Sequence, residues 1–297
     1  MDSAANAADG RVVVGVDGSQ PSVQAAVYAA EVAQRRGLGL MVVHVTPWQG
    51  IDGALPMASR EAKERFAESA TRLVEAAADT VRQTTGLAGV TAAVVDDHPV
   101  DGLLALSADA AVVVIGRRGL GGLPGLLLGS TAGAVAQHAR CPVIALPDEP
   151  SGRPAEQRPV VVGVEGRPGD DEVLAFAVAE AEVRGADLVA VHAWRDPTLE
   201  AALGGFVPYV DWTGLEEDER QRLADALAPW RERAPGVAVS EVVVRDRAAS
   251  ALLERSAGAD LLVVGHRHRS LLARVGSTTY GLLHRAACPL AVVPLER

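Results

Sequence analysis

After an apolar run at 110–115 the chain reads GRRGLGGLPGLLLGST, residues 116–131. Two residues separate Gly116 from Gly119, and nine more separate Gly119 from Gly129 and Ser130. Spacing of this kind suits an anion. Without side chains in the way, successive backbone N–H groups turn inward and approach an oxyanion closely. Gly129, Ser130 and Thr131 then open a helix, and a helix N-terminus favours negative charge. The hydroxyls of Ser130 and Thr131 add donors, and Arg117 or Arg118 adds charge. A plainer account competes with this one, because Gly-rich turns are common and Ser or Thr caps helices where nothing binds.

Two other segments place chemistry near such a loop. GVDGS at 15–19 puts Asp17 and Ser19 just beyond a short apolar run. A carboxylate there can accept hydrogen bonds from ribose hydroxyls, or it can simply cap the following helix. A second apolar run ends at His44 and Val45, whose backbone could pair with an adenine edge. His44 and its later counterpart His192 read as packed structural residues. No GxGxxG is present, so the dinucleotide fingerprint is missing. Of the 28 basic residues only Lys63 is a lysine, and it lies between Ala62 and Glu64. The Gly-Lys step of a P-loop is therefore excluded, as is any Schiff-base chemistry not using Lys63.

These residues need a scaffold, and composition limits what it is. Hydrophobic residues make up 48% and charged residues 22%, the balance of a folded globular chain. A length of 297 residues suggests two domains. The net charge of −10 argues against a nucleic-acid phosphate backbone as the main partner. Trp48, Trp194, Trp212 and Trp230 are too dispersed to form a stacking platform. Cys141 and Cys288 are too few for a disulfide framework, and both read as small buried fillers. MDSAANAADG lacks the basic and apolar regions of a signal peptide, and no apolar run approaches a membrane span. The expectation is a soluble, cytoplasmic protein.

The chain repeats itself. VVVGVDG at 12–18 returns as VVVGVEG at 160–166, His44 as His192, and Gly116 as Gly265. Gly129, Ser130 and Thr131 return as Gly276, Ser277 and Thr278, and CPVIALP at 141–147 as CPLAVVP at 288–294. One whole domain is duplicated. The expected domains are 1–147 and 159–297, joined by a Pro-rich, charged linker at 148–158. Within the first, apolar runs at 11–16, 40–45, 90–95, 110–115 and 142–146 read as buried parallel strands. Between them lie a helix with Val23, Val27, Ala30 and Ala33 on one stripe, and a longer one with Phe66, Ala70, Leu73, Val74, Ala77 and Val81. A short helix is expected near 100–108 and another from about Ser130. Alternation of this kind predicts an α/β fold, two tandem doubly wound five-stranded parallel sheets, with ligands beyond the strand C-termini.

GVDGS, the Gly-x2-Gly-x9-Gly-Ser-Thr loop and the closing CPV strand together resemble the universal stress protein family, as two tandem copies over nearly the whole chain. The resemblance implies an adenine-nucleotide alpha-hydrolase-like fold that binds ATP, with room for Mg²⁺ alongside. It also implies a stress-response role in which binding rather than turnover is the output. Carried over by position, Gly15, Val16, Asp17, Ser19 and Val45 would hold adenine and ribose. Gly116, Arg117, Arg118, Gly119, Leu120, Gly121 and Gly122 would hold the phosphates with Gly129, Ser130 and Thr131. Family members pair through their last strands, which implies a pseudo-twofold between the halves and leaves room for a homodimer.

The second copy departs from this pattern. Asp17 becomes Glu165, Gly119 becomes His268, and seven residues instead of nine precede Gly276. A side chain at His268 obstructs the close approach that glycine permits. Gly163, Asp196, Gly265, Gly276, Ser277 and Thr278 survive as contacts for a weaker second site. His266, His268 and His284 lack a carboxylate or Cys at ligating spacing, so no metal is expected. Three functions stay open: regulation through bound nucleotide with an unknown protein partner, slow hydrolysis or nucleotidyl transfer using Asp17 and Arg117, and a structural interaction protein with vestigial sites.

Overall fold

The computed structural model describes residues 8–47, 60–119, 128–148, 158–167, 169–194, 212–267 and 277–295. The chain divides into two compact units, residues 1–150 and 151–297. Residues 149–157 of the expected linker lie outside the described residues.

The first unit runs β1 (Val12–Gly15), α1 (Gln20–Arg36), β2 (Leu40–Val45), α2 (Arg60–Thr85), β3 (Val90–Val95), α3 (Pro99–Leu106), β4 (Val112–Gly116), α4 (Ser130–His138) and β5 (Val143–Leu146). Its strands are parallel, in the order β3-β2-β1-β4-β5. β1 and β4 are the central pair, and their valines at 12–14 and 112–114 are fully buried. Burying each such side chain contributes roughly 1.5–3 kcal/mol. The chain moves outward from β1 through β2 to β3, then crosses back through α3 to β4. With right-handed crossovers that reversal puts α1 and α2 on one face of the sheet and α3 and α4 on the other. The β1–β4 junction is thus the switch point where strand ends leave a crevice.

α1 starts where the sequence places it. Ser19 caps it, its side chain accepting from Ser22 N, with Pro21 in the first turn. Gly37 closes it at φ 65°. Its buried face differs from the expected stripe: Ala25, Ala26, Ala29, Ala30 and Ala33 are buried while Val23 and Val27 are half-buried. Small residues let the helix backbone lie close to β1 and β4, so alanines make up most of the buried side, with Val32 the buried valine. In α2, Ala70, Val74, Ala77 and Val81 are buried as the periodicity predicts, but Phe66 is exposed. It precedes the buried stripe, in the first turns of the helix.

The second unit repeats the order: β6 (Val160–Gly163), α5 (Asp170–Arg184), β7 (Leu188–Trp194), α6 (Trp212–Arg233), β8 (Val239–Arg245), α7 (Ala248–Ser256), β9 (Leu261–Arg267), α8 (Ser277–Arg285) and β10 (Leu290–Leu295). Its parallel strands take the order β8-β7-β6-β9-β10. Cys141 and Cys288 are buried free thiols. Among the described residues no helix is long and apolar enough to cross a membrane.

Candidate functional site

The chain leaves β1 at Val16, whose N–H donates to Val43 O (2.8 Å) and whose carbonyl accepts from His44 Nδ1 (2.7 Å). The turn that follows is built from its own polar residues. Ser19 N donates to Asp17 Oδ1 (3.0 Å), and Asp17 N donates to Ser22 Oγ (3.3 Å). Ser22 Oγ in turn donates to Ser19 O (2.8 Å). Gly18, at φ 87°, supplies the left-handed step this turn needs. Asp17 thereby acts on the helix cap through one oxygen while its other oxygen faces Gly119. A β-carbon at Gly119 would overlap Asp17 Oδ2.

β4 delivers the second half of the site. Arg117 N donates to Leu146 O (3.0 Å), and Arg117 O accepts from Gly129 N (2.7 Å). That bond ties the end of β4 to the start of α4 and uses the Gly129 N–H. Intrahelical bonding begins with Gly133 N to Gly129 O. The N–H groups of Ser130, Thr131 and Ala132 therefore open the helix with no intrahelical acceptor. Arg117 is 5% exposed. Arg118 is more open, and its guanidinium pairs with Asp148.

These ends enclose a cavity of about 440 Å³, within the range of small-molecule sites. Its apolar part is made by Val45, Pro99, Leu103, Ile115 and Leu128. Its polar part is made by Asp17, His44, Arg117, Arg118, Ser130 and Thr131, with Gly15, Val16, Gly116, Gly119 and Gly129 presenting backbone. Of the residues named from the sequence, Ser19 stands behind the wall as the helix cap. Leu120, Gly121 and Gly122 lie outside the described residues. Sequence reasoning missed Leu103, Ile115 and Pro99. The available signal was Pro99 opening a helix whose Leu103, one turn on, faces the end of β1.

In the second unit, described side chains tie the corresponding strand ends to the helices. Val164 O accepts from His192 Nδ1 (2.8 Å), as Val16 O does from His44. His192 Nε2 then meets Glu219 Oε2 of α6 at 2.8 Å, and Arg222 donates to Glu219 Oε1 at 2.7 Å. Asp170, at the position of Ser22, holds the turn after β6 twice, accepting from Glu165 N (3.3 Å) and Arg167 N (2.9 Å). A β-carbon at Gly265 would stand 2.8 Å from Val173 Cγ2 and 3.1 Å from Leu295 Cδ1. The corresponding direction at Gly116 meets backbone oxygens of Pro21 and Arg118. Gly163 ends β6 and Thr278 lies half-buried in α8, which Ser277 opens. Asp196, His268 and Gly276 lie outside the described residues. No cluster of three or more His, Cys, Asp or Glu that could hold a metal is present among the described residues.

Comparison with known proteins matches this architecture to one family. The model of the universal stress protein family fits residues 10–147 and again 157–294. A universal stress protein of Mycobacterium tuberculosis is 37% identical over 282 residues, covering 90% of this chain and 91% of its own. One from Mycobacterium bovis is 36% identical over 303 residues, covering 96% and 95%. A universal stress protein structure from Archaeoglobus fulgidus covers 96% of this chain and 98% of its own, with a TM-score of 0.67 at 19% identity, a likeness of fold.

Proposed function

This chain belongs to the universal stress protein family, and from that premise we propose that its first domain binds an adenine nucleotide, ATP foremost, with the bound state as its output. The observation that carries this reading is the cavity at the β1–β4 switch point, lined by apolar side chains and by Asp17, Arg117, Arg118, Ser130 and Thr131. Val45, Leu103 and Ile115 offer a flat apolar seat for a base, with the Val16 and Val45 backbone at its edge. Asp17 Oδ2 is placed for ribose hydroxyls. The free N–H groups of Ser130 and Thr131, with Arg117 and Arg118, suit phosphate. Mg²⁺ would arrive on the phosphates and take at most one or two protein oxygens there.

In this reading the second domain is the weaker binder, because Glu219 ties up His192 beside the strand end and His268 stands where the first domain has Gly119. Occupancy of the first site would shift the population of a conformer read by a protein partner or a second copy in the cytoplasm. The direct test is to purify the protein without added nucleotide, denature it, and identify released small molecules by mass spectrometry. Release of ATP, or ATP binding on titration with Mg²⁺, supports the reading. No release and no binding would leave a structural interaction protein. Phosphate release faster than nucleotide dissociation would make catalysis, not occupancy, the output.

A further inference from the structure

Asp148 stands just past β5, and its Oδ2 accepts both Nε and Nη2 of Arg118. The pairing is one-sided. Oδ1 of the same carboxylate is buried with no hydrogen-bond partner among the described residues. A guanidinium held by both carboxylate oxygens is the stronger arrangement. The Arg118 side chain is 41% exposed and that of Asp148 20%, and an ion pair this open contributes little to folding. Packing does not call for an aspartate here either. Aligning the two closing strands puts Leu295 at the equivalent place, where it packs beside Gly265 and Gly169.

Arg118 is the outer of the two cations at the anion end of the cavity. Its Cα lies 3.9 Å from the place a Gly129 β-carbon would take, beside the start of α4. Arg117, by contrast, is buried. On the nucleotide reading, a phosphate next to the ribose would lie toward the buried Arg117 and the helix, and phosphates farther along the chain would reach the more exposed Arg118. Resting on the nucleotide reading above, we propose that Asp148 is a specificity-determining residue of the site. By occupying Arg118 it makes the outer phosphates compete for that cation, and it lowers the preference for triphosphate over monophosphate. ATP carries roughly two more negative charges than AMP, so the competition falls on ATP. With Asp17 and Asp148 set against Arg117 and Arg118, the charged side chains at the site nearly balance. Neutralising Asp148 tips them toward the cation.

The experiment is calorimetric titration of ATP, ADP and AMP into the full-length protein and its Asp148→Asn, Asp148→Leu and Arg118→Ala variants. Asp148→Leu copies the residue of the second domain. Both Asp148 variants are expected to bind ATP about threefold to tenfold more tightly, ADP by less, and AMP nearly unchanged. Arg118→Ala weakens ATP most, and Asp148→Asn adds nothing once Arg118 is gone. Retained AMP affinity shows in the same variants that the cavity is folded. An equal shift for all three nucleotides, no shift, or a gain that survives Arg118→Ala would overturn the role of Asp148. Loss of AMP binding in both Asp148 variants would overturn it too, making the pair structural. A wild type that binds none of the three overturns this inference together with the nucleotide reading, whereas normal ATP binding left unchanged by Asp148→Asn overturns only the inference.

Discussion

The two domains use one strand order and close its switch point by different means. In the first, Asp17 braces the turn after β1 through Ser19 N, and its other oxygen and Gly119 face each other across the cavity mouth. In the second, Asp170 of α5 accepts from two backbone N–H groups of the same turn, where the first has the Ser22 hydroxyl and Asp17. His44 and His192 both hold the carbonyl after the first strand, and among the described residues His192 alone of the two is also bonded to a glutamate from the next helix. The second domain also carries a buried Arg184, paired with Glu180 and Asp260, where the first has Val32 and Ala111 at the positions of Glu180 and Asp260. A cavity is an unfilled volume that the fold must tolerate. The first domain keeps one at the carboxyl ends of its strands, whereas the Arg184 cluster of the second lies at the opposite, amino end of β9.

The largest expected effect tests the packed copy. Arg184→Ala strips Glu180, 1% exposed, of its paired cation and should destabilise the second domain by roughly 3–5 kcal/mol. Trp194, Trp212 and Trp230 all lie in that domain, so their fluorescence during urea unfolding reports it. A change below about 1 kcal/mol would show that the pair is incidental. Next comes Gly119→Ala, whose β-carbon displaces the Asp17 carboxylate. It should weaken ATP binding about tenfold to hundredfold with the unfolding midpoint nearly unchanged, and unaltered affinity would break the contrast between the domains. Gly265→Ala inverts that pattern. Crowding Val173 and Leu295 should cost about 1–2 kcal/mol of second-domain stability and leave ATP affinity as it was.

The smallest effect concerns pH. Burial pushes the Cys141 thiol up to about 12, above its unfolded value of about 8.5. The neutral thiol is the native form, so its contribution is whole below about pH 8.5 and is lost as pH climbs toward 12. Between pH 8.5 and 9.5 the first domain should lose about 1 kcal/mol through this group. Cys141→Ala should show a correspondingly flatter profile in thermal melts across that range.

The strands were legible because parallel strands buried on both faces are short apolar runs, and 40–45 and 90–95 fall where β2 and β3 lie. Helix faces were less legible. A hydrophobicity pattern weights Val23 and Phe66 over alanine, whereas close helix–sheet packing favours the smaller residue. The glycine spacing and the strand-end aspartate drew attention to the site, but not the contact between Gly119 and Asp17, which the fold alone brings together. The apolar wall of Leu103 and Ile115 and the Arg118–Asp148 pair were likewise silent, since nothing local in the sequence joins their elements. Gly129 shows the limit of a motif: its N–H, expected among the phosphate donors, is used by Arg117 O.

The central claim is a single working nucleotide site per chain, in the first domain. Equilibrium dialysis of labelled ATP against the full-length protein and its two glycine variants tests it most directly. The account predicts one nucleotide bound per chain, with affinity strongly weakened in Gly119→Ala and retained in Gly265→Ala. Two nucleotides per chain, or a single one lost in Gly265→Ala and kept in Gly119→Ala, would contradict it.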